Sequence, residues 1–313
     1  MIVEWISTCR ETHQNCQASS LARLKAGLPT RLLDVSQSSS ADKMKARLCY
    51  TKEIPPDAEY LSLSHTWGVE EFFTLKKKNE DELMRDIPIT LLPQSFQDAI
   101  YVTGALKHRY LWIDSLCIIQ DDPDDWRKEC MRMADVYKNA VLNLSASWVS
   151  SNKNGFLVNQ RSNNPVPVLV NKDCPEENLV ISEDSPWESV WSGPLFTRAW
   201  VLQEQILAPR AVHFTENQIH WECEDLYANE VIPLGVPTVE TRGIHEDPAS
   251  LYPIWMQIIE EFSSRRITVD SDRLPALDGL ASEFAQGLEV AKSTFIYGLW
   301  RNDLPRQLLW RQT

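Results

Sequence analysis

The stretch that decides the fold runs from residue 109 to residue 146 and reads RYLWIDSLCIIQDDPDDWRKECMRMADVYKNAVLNLSA. Residues 110–119 are mostly apolar and lack a helical period, which predicts a strand buried on both faces of a parallel sheet. Asp122 is a typical cap for a helix over 123–138, since proline fits the first helical position. Residues 141–146 predict the next strand. In such sheets, ligands gather at the carboxyl ends of the strands, where the acidic loop of this unit must lie.

The neighbouring segments extend this alternation of strands and helices. Residues 60–67, YLSLSHTW, predict a strand that ends at Gly68, and residues 93–107 predict a helix. Residues 194–207 predict a further helix, followed by a hairpin formed by residues 211–214 and 219–223. Together the elements predict an α/β fold: a parallel sheet core with right-handed crossovers and helices on both faces.

Changes in composition divide the chain into three parts. Residues 1–45 are expected to form an N-terminal helical segment and, over residues 36–45, a flexible serine-rich link. The α/β core would cover residues 46–229, with an insertion at 150–190 that is rich in asparagine, proline and serine and holds a short strand near Val166. Residues 230–313 predict a helical C-terminal extension whose last helix lies at 294–300.

Charge and composition narrow the classes of partner and compartment. The net charge of −13 argues against nucleic acid or an anionic lipid surface as the main partner. No apolar run approaches the roughly 18 residues that a membrane span needs. Seven cysteines without regular spacing do not resemble a disulfide framework, which favours a reducing, intracellular setting.

The N-terminal segment contains a pattern of metal-binding residue types. Cys9, His13 and Cys16 are spaced like half of a zinc site, but a tetrahedral site needs a fourth ligand. Cys223 would supply it if the fold brought it near. Packed thiols beside a surface histidine are the more common explanation of such residues, so the sequence alone favours no metal.

A serine hydrolase is disfavoured although Ser64 and His65 are adjacent. Neighbouring residues on a strand point to opposite faces, so the histidine cannot activate the serine next to it. The sequence also lacks a G-x-S-x-G elbow.

Three blocks carry a resemblance to a known family: YLSLSHTWG, RYLWIDSLCIIQDDPDDWRKECMRMADVYKNA and FTRAWVLQEQILAPRAVHF. They resemble the HET (heterokaryon incompatibility) domain of filamentous fungi. The stretches ITVDSDRLPALDGLA and YGLWRNDL fit the same family. The resemblance implies a cytoplasmic protein that triggers or transmits programmed cell death when non-self is sensed, a form of innate immunity.

HET domains are in turn remotely similar to TIR domains, which share a flavodoxin-like fold and of which many cleave NAD at the nicotinamide–ribose bond. The TIR motif Trp-x-x-x-Glu corresponds to Trp200 and Glu204, so the resemblance implies that Glu204 is catalytic. The substrate-binding residues it implies lie at the strand ends and the helix start: Ser64, His65, Trp67, Gly68, Asp114, Asp121, Asp122, Arg198 and Trp200. It further implies NAD as substrate without any required cofactor, self-association for activity and an upstream non-self sensor protein.

The chemistry of an NAD nucleosidase is compatible with one carboxylate. Nicotinamide is a good leaving group, so the enzyme mainly stabilises an oxocarbenium-like state with negative charge near the ribose. The structural alternative for Glu204 is a helix-surface residue that pairs with Arg198 or Arg210. The structural alternative for Trp200 is that it packs in the core. For Asp114, the alternative is that it accepts hydrogen bonds from the amides of its loop. For the acidic loop, the alternative is that it caps the helix that follows. A non-catalytic signalling module, acting by self-association or by recruiting partners, is therefore the alternative function.

Overall fold

The computed structural model describes residues 1–17, 27–37, 44–68, 70–157, 166–169, 178–181, 188–237 and 248–309. The strands in these ranges are β1 (Arg31–Gln37), β2 (Met44–Tyr50), β3 (Tyr60–Ser64), β4 (Tyr110–Trp112), β5 (Leu142–Ser145), β6 (Val166–Leu169), β7 (Asn178–Ile181), β8 (Arg210–Phe214), β9 (Ile219–Cys223), β10 (Leu226–Asn229), β11 (Val236–Pro237), β12 (Phe295–Ile296) and β13 (Leu299–Trp300). The α-helices are α1 (Ile2–Thr12), α2 (Glu80–Leu83), α3 (Gln94–Ala105), α4 (Asp114–Cys117), α5 (Pro123–Cys130), α6 (Met133–Asn139), α7 (Glu188–Trp191), α8 (Ala199–Leu207), α9 (Pro248–Ser264), α10 (Arg273–Gly287) and α11 (Leu304–Gln307).

A nine-stranded sheet forms the centre of the molecule, in the order β11-β10-β9-β8-β5-β3-β4-β1-β2. The four inner strands, β8, β5, β3 and β4, pair in parallel. Antiparallel strands extend the sheet on both sides. Every residue of β3 is buried, as expected for the middle of a parallel sheet. The predicted α/β class with a parallel core is thus confirmed, and the hairpin of β8 and β9 is confirmed with it.

Helices cover the sheet and support one another. α3 packs against β1, β2 and β4, while α8 packs against α6, α9 and α10. The backbone of Arg266 also bonds to both sides of Arg198, because Arg266 N donates to Thr197 O and Arg266 O accepts from Ala199 N. The C-terminal helices therefore hold the start of α8 in place. None of the helices in the described ranges is both long and apolar enough to cross a membrane.

The strand predicted for residues 110–119 is wrong beyond its first three residues. β4 ends at Trp112, and residues 114–117 form the helical turn α4. The side chain of Asp114 accepts a hydrogen bond from the backbone N–H of Ser115 at 2.6 Å and so fixes this turn. An apolar run fills the core equally well as a strand or as a buried helical turn, which is why its pattern could not separate the two.

Further predictions need correction. The helix predicted over 194–207 begins only at Ala199, because residues 194–197 form a 3-10 turn and the backbone of Arg198 is extended. The helix over 123–138 is two helices, α5 and α6, although Asp122 caps its start through the N–H groups of residues 124 and 125 as predicted. The helix at 294–300 is instead a hairpin of β12 and β13, whose turn residues, Tyr297 and Gly298, both have positive φ. The ends of the link at 36–45 belong to β1 and β2, and residues 38–43 lie outside the described ranges.

The insertion at 150–190 is described only in part. Its short strand near Val166 is confirmed as β6, which pairs with β7 in a separate two-stranded sheet.

Candidate functional site

Ser64 and Glu204 meet at the carboxyl end of β3. The hydroxyl of Ser64 donates a hydrogen bond to Oε2 of Glu204, which lies on α8. Both side chains are buried, and Glu204 is only 3% exposed. The alternative of a surface glutamate paired with arginine is therefore wrong, and any ligand of this carboxyl group requires the site to open.

Two further residues that were not among the predicted site residues contact Ser64 and Glu204. Asn143 on β5 donates through Nδ2 to Ser64 Oγ at 2.9 Å, and its Oδ1 accepts from the hydroxyl of Ser62 at 3.1 Å. Tyr137 on α6 interacts with Glu204 through its hydroxyl. The sequence feature that could have indicated Asn143 is its position as a polar residue in a predicted buried strand. No such feature indicates Tyr137, because its helical spacing is typical of a residue that packs in the core.

Asp114 forms the second half of the site, where β4 ends. Its Oδ1 accepts from His65 Nε2 at 2.8 Å, and its Oδ2 accepts from Trp67 Nε1 at 2.9 Å. The His65 and Trp67 rings are nearly parallel, with an angle of 10° between their planes. Asp114 also accepts a hydrogen bond from the Ser115 N–H. The predicted structural role, acceptance of a loop amide, is therefore confirmed, but Asp114 has the contacts with His65 and Trp67 in addition.

The two carboxyl groups have pKa values shifted in opposite directions. Burial alone would raise the pKa of Asp114, but the charges and hydrogen bonds of His65, Arg198 and Trp67 outweigh it and lower the pKa to about 2. Burial raises the pKa of Glu204, and the nearby Asp114 charge adds to that, while Arg198 and hydrogen bonds to Ser64 and Tyr137 oppose it. Such divergence between neighbouring acids is common in sites that perform acid–base or charge-stabilising chemistry.

Arg198 lies where the two halves join. Its guanidinium donates to the backbone oxygen of His65, and its charge stabilises the anionic forms of both Asp114 and Glu204. It is partly exposed, so it is positioned at the boundary between the buried carboxyl of Glu204 and solvent.

The remaining predicted residues are placed as follows. Gly68 has φ +76° and an exposed position, and a Cβ there would come within 3.0 Å of the Ser151 hydroxyl. Trp200 is partly buried and packs against the hydrophobic core, in agreement with its structural alternative. Asp121 accepts from the Lys77 N–H at 2.8 Å, while Asp122 caps α5 and pairs with Lys77 Nζ at 3.0 Å. These two acidic residues have the structural contacts of a loop and a helix cap.

Three buried polar atoms in the residues around the His65–Asp114 contact have no hydrogen-bond partner among the described residues. They are Nδ1 of His65 and the hydroxyls of Thr66 and Ser115. Because Asp114 is ionised, the Nε2 atom of His65 carries the proton that Asp114 accepts, and the unpartnered atom is on the other side of the ring. Buried polar atoms left unpaired are uncommon, and they mark places where a ligand or water can bind.

A second cluster lies apart from this site, where the end of α1 meets the end of β9. The ligand atoms of Cys9, His13, Cys16 and Cys223 all lie within 4.8 Å of one another. The fold thus supplies the fourth residue that the N-terminal pattern lacked, because β9 places Cys223 beside the end of α1.

Comparison with known proteins shows which family the chain resembles. Residues 60–204 match the family model described as heterokaryon incompatibility protein (HET), so this part of the chain is similar to that family. The chain is also 29% identical over 120 residues to heterokaryon incompatibility protein 6, OR allele, of Neurospora crassa. That match covers 35% of this chain and 17% of the length of the relative. No solved structure matches the chain.

Proposed function

We propose that this chain acts in fungal heterokaryon incompatibility as a cell-death effector whose HET domain is a TIR-like NAD glycohydrolase. The family match over residues 60–204 and the name of the Neurospora crassa relative support the incompatibility role. The enzymatic part rests on the site around Glu204. NAD is the substrate, no further cofactor is needed, and the reaction takes place in the cytoplasm.

The strand order supports a TIR-like, flavodoxin-like core. The parallel strands lie in the order β4-β3-β5-β8. In chain order, β3 is the first of them, β4 is added on one side of it, and β5 and then β8 are added on the other side. This is the 2-1-3-4 order of flavodoxin-like folds, in which ligands bind at the switch point beside the first strand. Ser64 ends β3 at that point, and Asp114 follows β4 next to it.

The observation that carries the proposal is the contact of the Glu204 carboxyl with the Ser64 hydroxyl, next to the ionised Asp114. In the proposed reaction the bond between the ribose C1′ and the nicotinamide nitrogen breaks, and the electron pair leaves with nicotinamide. Glu204, in its carboxylate form, stabilises the oxocarbenium-like state. Water then adds to C1′, and ADP-ribose, nicotinamide and one proton are released. A second catalytic carboxylate is unnecessary because the leaving group needs no protonation, unlike that of most glycosidases.

The unpartnered polar atoms of His65 and Thr66 support ligand binding at this edge. Trp67 and Arg198 are partly exposed beside them, and they can contact the nicotinamide ring and a phosphate or ribose oxygen. Because Glu204 is nearly sealed, the proposal includes an activation step that opens the site. Self-association, triggered by an upstream non-self sensor protein, provides this step.

The experiment that tests the proposal is expression of the protein in fungal cells, with cell death and cellular NAD measured together. Wild type is expected to deplete NAD before death, and Glu204→Gln is expected to abolish both. The matched control is Glu129→Gln, because Glu129 is equally buried and also accepts from a hydroxyl, that of Thr30 at 2.6 Å. Death without loss of NAD would contradict the enzymatic proposal.

One observation favours a second function. Burial of Glu204, with its pKa raised and its oxygen bonded to Ser64, is also what a purely structural carboxyl would show. In that case the domain is a non-catalytic signalling module that kills by self-association or by recruiting partners. Its signature in the same experiment is death at unchanged NAD, equal for wild type and a well-folded Glu204→Gln protein.

A further inference from the structure

The cluster at the end of α1 has the composition and geometry of a closed metal site. Cys9 lies in α1, His13 is its C-terminal cap, Cys16 follows, and Cys223 is the last residue of β9. Their ligand atoms lie within 4.8 Å of one another, and the Sγ atom of Cys223 is 3.3 Å from Nδ1 of His13. In a tetrahedral zinc–thiolate site the sulfur atoms are about 3.8 Å apart, as bond lengths near 2.3 Å require.

We infer that these four residues bind one zinc ion, which is structural and fastens the N-terminal helix to the sheet. Three cysteines and one histidine are a common ligand set of structural zinc sites. Cys9 and Cys16 are fully buried and Cys223 is 2% exposed, so four protein ligands leave no open position for a substrate. A catalytic zinc would need such a position.

The surroundings compensate the charge of the site. Zinc with three thiolates carries one net negative charge, and the buried Arg210 points its Nε at the sulfur of Cys9 at 3.0 Å. Asp225 accepts from the backbone N–H groups of Asn15 and Cys16 and thereby fixes the segment that carries two of the ligands. Hydrogen bonds of this kind orient metal ligands, and their loss lowers metal affinity roughly 10–100-fold.

The ion would join segments that are far apart in sequence, since His13 and Cys223 are separated by 210 positions. Without it, α1 is held to the sheet by side-chain contacts, among them those of Trp5, whose ring lies 6.0 Å from that of Trp221 and whose Nε1 donates to Pro233 O at 2.7 Å. The metal therefore adds stability to the N-terminal docking, and its binding energy becomes folding energy.

The test is the metal content of the full chain, purified under reducing conditions without chelator. We expect about one zinc per chain, and tetrahedral cobalt–thiolate absorption bands after replacement of zinc by cobalt. Cys16→Ser and His13→Ala should lose the metal. Cys130→Ser, at a buried cysteine outside the cluster, should retain it.

A second measurement keeps the inference testable if a ligand variant folds poorly. Removal of metal from wild type by a chelator should lower the melting temperature, and added zinc should restore it. Wild type that takes up neither zinc nor cobalt when both are offered under reducing conditions would overturn the inference. So would a disulfide between Cys9 and Cys16 that persists in that reduced protein.

Discussion

Ser64 Oγ donates a hydrogen bond to Glu204 Oε2 across 140 positions of sequence. This contact joins the end of the central strand β3 to the helix α8, which the C-terminal helices hold in place. It brings the buried carboxyl of Glu204 to the carboxyl ends of the parallel strands, where the ionised Asp114 also lies. The site therefore depends on the sheet and on the C-terminal helices together.

Glu204→Gln is expected to change how stability depends on pH. The pKa of Glu204 is raised in the folded protein, so the wild type loses stability as pH rises from the ordinary value of 4.5 through the folded pKa. Glutamine keeps the oxygen that accepts from Ser64 but cannot ionise. Relative to wild type, the free energy of unfolding of the variant should therefore increase as the pH rises above 4.5, measured by urea denaturation; parallel profiles would contradict the raised pKa.

Asp114→Asn is expected to show the opposite dependence. The pKa of Asp114 falls from 3.8 to about 2 on folding, which corresponds to about 2 kcal/mol of stability that is present above pH 4. The variant should lose about that amount at pH 7, and the difference should shrink as pH falls from about 4 towards 2. Asp57→Asn, at an exposed aspartate, serves as the control. A loss that is independent of pH would point to packing rather than charge.

Gly279→Ala tests whether the C-terminal helices position α8. A Cβ at residue 279 would lie 2.4 Å from Gln203 Oε1 and 2.5 Å from the Cβ of Ala134. Glycine to alanine ordinarily stabilises a helix by up to about 1 kcal/mol, whereas overpacking costs about 1–3 kcal/mol. We expect destabilisation, seen as a lower melting temperature. Gln286→Ala, at an exposed position of the same helix, should have little effect, and stabilisation by Gly279→Ala would show that α8 and α10 are less closely packed.

Much of the site could be predicted because parallel strands present their carboxyl ends at one edge. Ser64 and Asp114 follow from that rule once β3 and β4 are recognised, and Glu204 from the Trp-x-x-x-Glu spacing. Asn143 could not be assigned, because its contact with Ser64 depends on the register in which β5 lies beside β3. The strand β1 was missed because its last two residues overlap the serine-rich stretch from residue 36 onward, which indicates a flexible link.

The fourth residue of the cysteine–histidine cluster could not be predicted from the sequence either, because it is distant along the chain from the other three. The spacing of Cys9, His13 and Cys16 is visible in the sequence, whereas the position of Cys223 depends on how α1 docks against β9. Pairings between segments so far apart are set by the tertiary fold and leave no local pattern.

The most direct measurement of the central claim is nicotinamide release from NAD by purified protein, both alone and fused to a coiled coil that forces self-association. Wild type and Glu129→Gln are expected to release nicotinamide, more strongly when self-association is forced, while Glu204→Gln should release none. Equal release by wild type and Glu204→Gln would leave an enzyme whose catalytic residue is not Glu204. No release by any protein in the forced assembly would contradict the NAD glycohydrolase account.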